Sequence, residues 1–297
     1  MPKMHEKICH RILNIGLRLG LVFLAAAAVA QAQQYSPTTP TQADLYCSGV
    51  ITDKPVPKDS YVISGENSGY LTTFYSGDYI YINQGLEHGV KVGDKFEVVR
   101  ALTDPMATAA WFKYQAMLSR AMGTRYADIG RLRVIHVDAK TSTAVAELGC
   151  DPIQRGDLVR PFTPRPIPQF HDVKLDPSAV PSGKKTAMIV SSRDYMALAG
   201  PGRIVYVNLG SEQGVRVGDY FRAFRYEGTR TETVYQVPDA SYKAYGFGST
   251  PVAYQWNDLP RQILGEGIVL RTGPNSSTVL LTTVRFEIIT GDYVELE

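Results

Sequence analysis

Four aspartates stand in matched pairs along the chain, Asp94 with Asp219 and Asp157 with Asp292, and paired carboxylates are the groups that general acid–base chemistry employs. Each directly follows a glycine (Gly93, Gly218, Gly156 or Gly291) and precedes a strand-like run. An aspartate so placed bonds the backbone of its own turn. Turn duty therefore accounts for all four, and a duplicated sequence accounts for their pairing. Histidine offers no more. Beyond residue 32 only His88, His136 and His171 occur, none with a second His or Cys at zinc-ligand spacing. Ser191-Ser192-Arg193-Asp194 lacks the glycines of a nucleophile elbow. Pro181-Ser182-Gly183-Lys184-Lys185-Thr186 has the tail of a phosphate loop without the upstream glycine and strand that must precede it. Asn275-Ser276-Ser277 fits a glycosylation sequon, a pattern of little specificity. The chain reads as non-enzymatic, with no catalytic residues, metal or cofactor.

Residues suited to binding are easier to find. Tyr235, Tyr242, Tyr245, Phe247, Tyr254 and Trp256 fall in one stretch, interleaved with Pro238, Gly246, Gly248 and Pro251. Tyrosine offers area and a polar tip at low entropy cost, so this composition suits a binding loop. The alternative is a loop whose aromatics cap a barrel end. Cys47 and Cys150 are the only cysteines after Cys9. In an oxidising compartment they read as a disulfide tying Tyr46-Cys47-Ser48-Gly49 to Gly149-Cys150-Asp151; two buried free thiols are the alternative.

The elements that must carry these residues are written twice. Tyr81-Ile82-Asn83-Gln84-Gly85 and Gly89-Val90-Lys91-Val92-Gly93-Asp94-Lys95-Phe96 with Arg100 return 125 positions on, as Tyr206 to Gly210, Gly214 to Phe221 and Arg225. A second block, Ile129-Gly130, Ser142-Thr143 and Ile153 to Val159, returns 135 positions on, as Leu264-Gly265, Ser277-Thr278 and Ile288 to Val294. Two copies of one small β module follow. Short β-branched and aromatic runs bounded by glycine and asparagine predict about six strands per copy. Asn83-x-Gly85 and Asn208-x-Gly210 read as reversals at positive φ, which glycine adopts freely. With no room for crossover helices, the fold expected is mainly β: two tandem small β-barrel (SH3-like) modules, the first with an inserted helix.

The boundaries follow from composition. Residues 1–32 read as a signal peptide: Lys3, Lys7, Arg11 and Arg18 precede the apolar run Leu19 to Ala30, and Ala30-Gln31-Ala32 suits a signal peptidase. An uncleaved anchor is the alternative, but the run is short of the roughly 20 residues a spanning helix needs. Residues 33–44 read as a disordered lead-in, 45–161 as the first module, 162–185 as a proline-rich linker and 186–297 as the second module. The first carries a helical insert at 105–122, opened by Asp104-Pro105 and striped by Trp111, Tyr114, Leu118 and Met122. Docking onto a partner and folding back onto its own barrel are both compatible with that stripe. The second carries the aromatic insert at 226–263.

Charge limits the partners. The full chain is formally +2, and the leader removes four basic residues and Glu6, leaving −1 on about 265 residues. That balance argues against nucleic acid and anionic lipid, which want clustered Lys and Arg. The expected location is the periplasm or outer envelope, with no stable membrane span after cleavage. No motif specifies an oligomeric state.

The repeated framework, Tyr-(Val/Ile)-Asn-x-Gly-x3-Gly-Val-x-Val-Gly-Asp-x-Phe followed by Ile-Gly, Ser-Thr and Gly-Asp-x-Val, resembles small β domains of secreted bacterial envelope proteins. It is similar to the C-terminal domain of flagellar assembly protein T and to modules found beside LysM domains. The resemblance implies a fold and a compartment; it carries no catalytic residues, and no flagellar role, since neither a LysM repeat nor a flagellar-type N-terminal domain is present. A structural or assembly adaptor for an envelope protein assembly is the expected function. A peptidoglycan- or polysaccharide-binding module using loop 235–256 is the alternative.

Overall fold

The computed structural model describes residues 38–103, 114–171, 174–226, 234–235, 253–254 and 260–297. Thr38–Glu297 forms one compact unit, and the span 1–32 read as a signal peptide lies outside the described residues. The chain is mainly β. Its first half holds β1 (Val50–Thr52), β2 (Val62–Gly65), β3 (Thr73–Phe74), β4 (Tyr79–Ile82), β5 (Lys95–Leu102), β6 (Thr124–Val137), β7 (Ser142–Gly149), β8 (Ile153–Gln154) and β9 (Leu158–Pro161). Its second half holds β10 (Thr186–Ser192), β11 (Leu198–Ala199), β12 (Ile204–Val207), β13 (Tyr220–Tyr226), β14 (Val234–Tyr235), β15 (Ala253–Tyr254), β16 (Arg261–Thr272), β17 (Ser277–Val284), β18 (Ile288–Ile289) and β19 (Tyr293–Leu296).

In the second half β10-β12-β17-β16-β13-β19 closes into a barrel. The first half is a seven-stranded sheet running β2-β4-β7-β6-β5-β9, with β1 added beside β6. Taken strand for strand, the two orders are the same. The first sheet also curls almost shut: Tyr61 bridges Leu158, and the Val62 N–H donates to the Asp157 carbonyl at 2.8 Å. Alternation drives both halves. Ile80 and Ile82 point inward with Val98, Leu132 and Val134 in one core; Val205, Val207, Phe221, Val279 and Leu281 fill the other. Burying such a side chain contributes about 1.5–3 kcal/mol, and the strand period of two delivers one to the core at every second residue.

Glycine serves the repeated turns in two different ways. Gly93 and Gly218 have φ of 95° and 94°, a left-handed backbone that side chains resist. Gly85 and Gly210, expected at positive φ, are extended instead, at φ −134° and −138°. They are glycines because of close approach: a Cβ on Gly85 would sit 2.6 Å from the Asp138 carbonyl oxygen. The neighbouring asparagines tie strands together, Asn83 Oδ1 accepting from the Tyr61 N–H and Asn208 Oδ1 from the Met188 N–H, both at 2.7 Å.

Tertiary contacts fasten two segments that flank the modules. From Thr38 onward the lead-in, expected to be disordered, is held: the Thr38 N–H donates to Thr282 O, and Thr41 and Asp44 form a capping box on the helix Gln42–Tyr46. The proline-dense stretch has no helix or strand among its described residues, yet it is fastened along its length, with His171 against Tyr220 at 4.1 Å between ring centroids and Ser182 bonded to Leu296 and Glu295. The inserted helix is seen over Gln115–Met122; Asp104, Pro105 and Trp111 lie outside the described residues. It packs on both halves at once, on β1 of its own sheet and on the barrel. Met122 and Leu118 meet Ile51, Val190 and Tyr206, and the Gln115 side chain donates to the Val190 carbonyl at 2.8 Å. Val190 and Tyr206 belong to the barrel.

Candidate functional site

The duplicated aspartates sit in their turns. Asp94 Oδ2 accepts from the Lys91 N–H and Asp219 Oδ2 from the Arg216 N–H, both at 2.8 Å. Gly156-Asp157 and Gly291-Asp292 add a second partner that the turn alone does not require. Arg100 grips Asp157 through Nε and Nη2 at 2.7 and 2.8 Å, and Arg225 grips Asp292 in the same way at 2.8 Å on both. These bidentate forks link β5 to the β8–β9 turn and β13 to the β18–β19 turn. Their geometry spends each carboxylate on the fold.

One polar layer inverts between the copies. Glu97 on β5 faces Arg131 on β6 and Arg160 on β9, and Arg160 Nη2 meets Glu97 at 2.7 Å. At the equivalent places of the barrel, Arg222 faces Glu266 and Glu295, and Arg261 clasps Glu295 with two bonds of 2.9 Å. A strand borrowed from the other copy would set like charges opposite each other, which destabilises a sheet pair. Glu266 is the strained member. It is 2 % exposed, its Oε2 has no hydrogen-bond partner, and its nearest cation is Arg222 Nε at 3.9 Å. Burial, with the Glu297 charge added, pushes its carboxyl up to about 7 against the pull of Arg222. A raised acid favours the fold most fully below its unfolded value, near 4.5, and that contribution is lost as pH rises through 7. Glu266→Gln is therefore expected to gain on the native protein by on the order of 1–3 kcal/mol between those limits. Urea midpoints of both proteins across that pH range check this; parallel curves would refute it.

The seam between the first sheet and the barrel holds a charged cluster that sequence reasoning missed. Asp128, in the middle of β6, is buried; it accepts from the Gly49 N–H at 2.9 Å, from Arg165 at 2.9 and 3.0 Å, and from Arg271 Nη1 at 3.2 Å. Burial would raise its carboxyl, but the Arg165 hydrogen bond and the two guanidinium charges outweigh this and hold it below the ordinary aspartate value. Arg165 comes from the proline-dense segment and also reaches Glu97 and the Leu45 carbonyl. Arg271 comes from the barrel. The strap 45–51 completes the seam: Leu45 packs on barrel residues Ile204, Ile268 and Leu280, the Tyr206 hydroxyl donates to Ser48 O at 2.8 Å, and Thr278 donates to Gly49 O at 3.1 Å. Cys47 and Cys150 are joined, fixing this strap to the first sheet. One signal in the sequence marks the cluster. An aspartate inside Tyr126-Ala127-Asp128-Ile129 is a residue that strands disfavour.

Of the aromatic loop, Tyr235 and Tyr254 lie in the β14–β15 ladder, with Val234 opposite Tyr254 and Tyr235 opposite Ala253. Tyr242, Tyr245, Phe247 and Trp256 lie outside the described residues. The foot of the insert is nevertheless aromatic. Tyr226 and Tyr293 meet edge-on at 5.3 Å, Phe224 packs beneath both, and Arg261 lies 4.3 Å over the Phe224 ring. Tyr226 and Tyr293 remain 44 % and 38 % exposed. This face can take a sugar ring or an apolar side chain by stacking. Among the described residues no three potential ligand side chains converge as a metal site would need, and no helix is long and apolar enough to cross a membrane.

Neither the protein-family models nor the curated proteins contain a match to this chain.

Proposed function

We propose that this chain is an exported, non-enzymatic cell-envelope protein, a structural or assembly adaptor built from two tandem SH3-like modules. The observation that carries this reading is the seam. Asp128, Arg165, Arg271 and the strap 45–51 commit buried charge and a disulfide to holding the two halves in one pose. A fixed pose is what an adaptor needs to hold partners at a set spacing. The signal-like leader and the paired cysteines support export, and the glycine and aspartate framework supports kinship with envelope β domains. That framework is turn scaffolding and brings no flagellar assignment with it.

A glycan-binding reading draws on one specific observation, the exposed Tyr226 and Tyr293 at the foot of the tyrosine-rich insert. In-cell crosslinking separates the two. The adaptor is expected to give protease-sensitive adducts to one defined protein. Adducts freed only by lysozyme digestion of the sacculus would replace the adaptor with the glycan binder.

A further inference from the structure

A cavity of about 180 Å³ lies in the seam, with the Cys47–Cys150 bridge in its wall and Arg125, Arg193, Asp128 and Tyr206 around it. At ~30 Å³ per water, it has room for a small ion with a partial hydration shell. Of the two cations in this wall, Arg193 pairs with Asp194, and the buried Arg125 has no carboxylate partner within 4.0 Å among the described residues. The residue is 7 % exposed; Nη2 donates to the Arg193 carbonyl, while Nε and Nη1 have no hydrogen-bond partner. Its guanidinium lies between two tyrosine rings, with Cζ 3.9 Å from the Tyr195 centroid and 4.8 Å from that of Tyr206. Ring faces return only part of what burying a cation costs.

The carboxylates nearby are already engaged. Asp128 is held by Gly49, Arg165 and Arg271, and Asp194 by Arg193 and Arg203. Asp151 also lines the cavity but is exposed to solvent. The seam is therefore left with a cation in surplus beside an internal space, and a guanidinium is the group best shaped for carboxylate or phosphate oxygens. We propose that this cavity binds a small oxyanion, a carboxylate or phosphate group, as the counter-ion of Arg125, with Arg193 as the second cation. The two unpartnered nitrogens are closed off from solvent, so binding through them requires the guanidinium to turn toward the cavity. An anion bound there touches residues of both halves and stabilises the pair of them by mass action.

The test uses the full chain, exported and purified without phosphate, and inorganic phosphate as probe. Calorimetric titration and thermal unfolding are run in phosphate and in sodium chloride of equal ionic strength. Saturable phosphate binding with a rise in Tm is expected, weakened about tenfold or more by Arg125→Gln, which removes hydrogen bonds to a charged group. Arg193→Gln, on the more exposed rim, is expected to weaken it several-fold, and it decides the matter should Arg125→Gln fail to fold. Identical behaviour in phosphate and chloride overturns the proposal. So does a phosphate affinity that neither substitution changes, because the ion then binds elsewhere.

Discussion

Asp128→Ala is expected to destabilise the protein by about 3–5 kcal/mol, the usual cost of removing one partner from a buried ion cluster. The side chains of Arg165 and Arg271 are 10 % and 18 % exposed, and the substitution leaves Arg271 without its carboxylate and Arg165 with Glu97 alone. It also removes the acceptor of the Gly49 N–H, which anchors the strap. Asp128→Asn keeps an acceptor but no charge and should fall between the two. The measurement is a urea unfolding curve followed by near-ultraviolet dichroism. The native protein should unfold in one step, because the seam couples its halves, and Asp128→Ala should lower the midpoint and separate the sheet from the barrel. A midpoint within 0.5 kcal/mol of the native value, the range typical of surface substitutions, would mean that the cluster holds nothing together. Replacing Asp128, Arg165 and Arg271 together by apolar residues should cost less than Asp128→Ala alone, since no orphaned charge remains.

Removing the disulfide ranks next. Cys47 and Cys150 are 103 positions apart in the chain, and closing a loop of that size contributes roughly 4–5 kcal/mol through chain entropy. Cys47→Ser with Cys150→Ser is expected to lower stability by about 2–5 kcal/mol. More is at stake than entropy, because Cys47 lies in the strap that the barrel also grips through Tyr206 and Thr278. Loosening the strap from the first sheet should therefore raise hydrogen exchange at Ser48 to Ile51 and along β1, ahead of global unfolding. The paired state is checked by alkylating protein taken from the envelope without reductant. Full labelling at both positions would show that the bridge is not formed there.

Much of the local structure was legible because its causes are local. The Gly93-Asp94 and Gly218-Asp219 turns are written in adjacent residues, and an aspartate that bonds the N–H three positions back needs nothing from the rest of the chain. The repeat extends that information: two segments with the same turn residues at the same spacing meet the same constraints, and their strands come out in the same order. Gly85 and Gly210 show the limit. Their identity is local, but the reason for it is the backbone of Asp138 or Gly273 arriving from more than fifty positions away. The inverted charges were available too, as Glu97 against Arg222, Arg131 against Glu266 and Arg160 against Glu295 in the aligned copies. Turn residues drew the alignment, and the strand interiors between them went unread.

By itself, then, the sequence determined the β character, the duplicated turns and the cysteine pair, all of which follow from backbone preferences and short-range spacing. Only the tertiary structure decided that the two halves form a single body. Asp128 lies 37 positions from Arg165 and 143 from Arg271, and no periodicity links residues so far apart. Charges of this kind read as ordinary surface residues until folding carries them together. The helix at Gln115–Met122 was ambiguous for the same reason. An apolar stripe or an extended run states what it must bury, and the choice of surface is made by whichever neighbour the fold brings within reach.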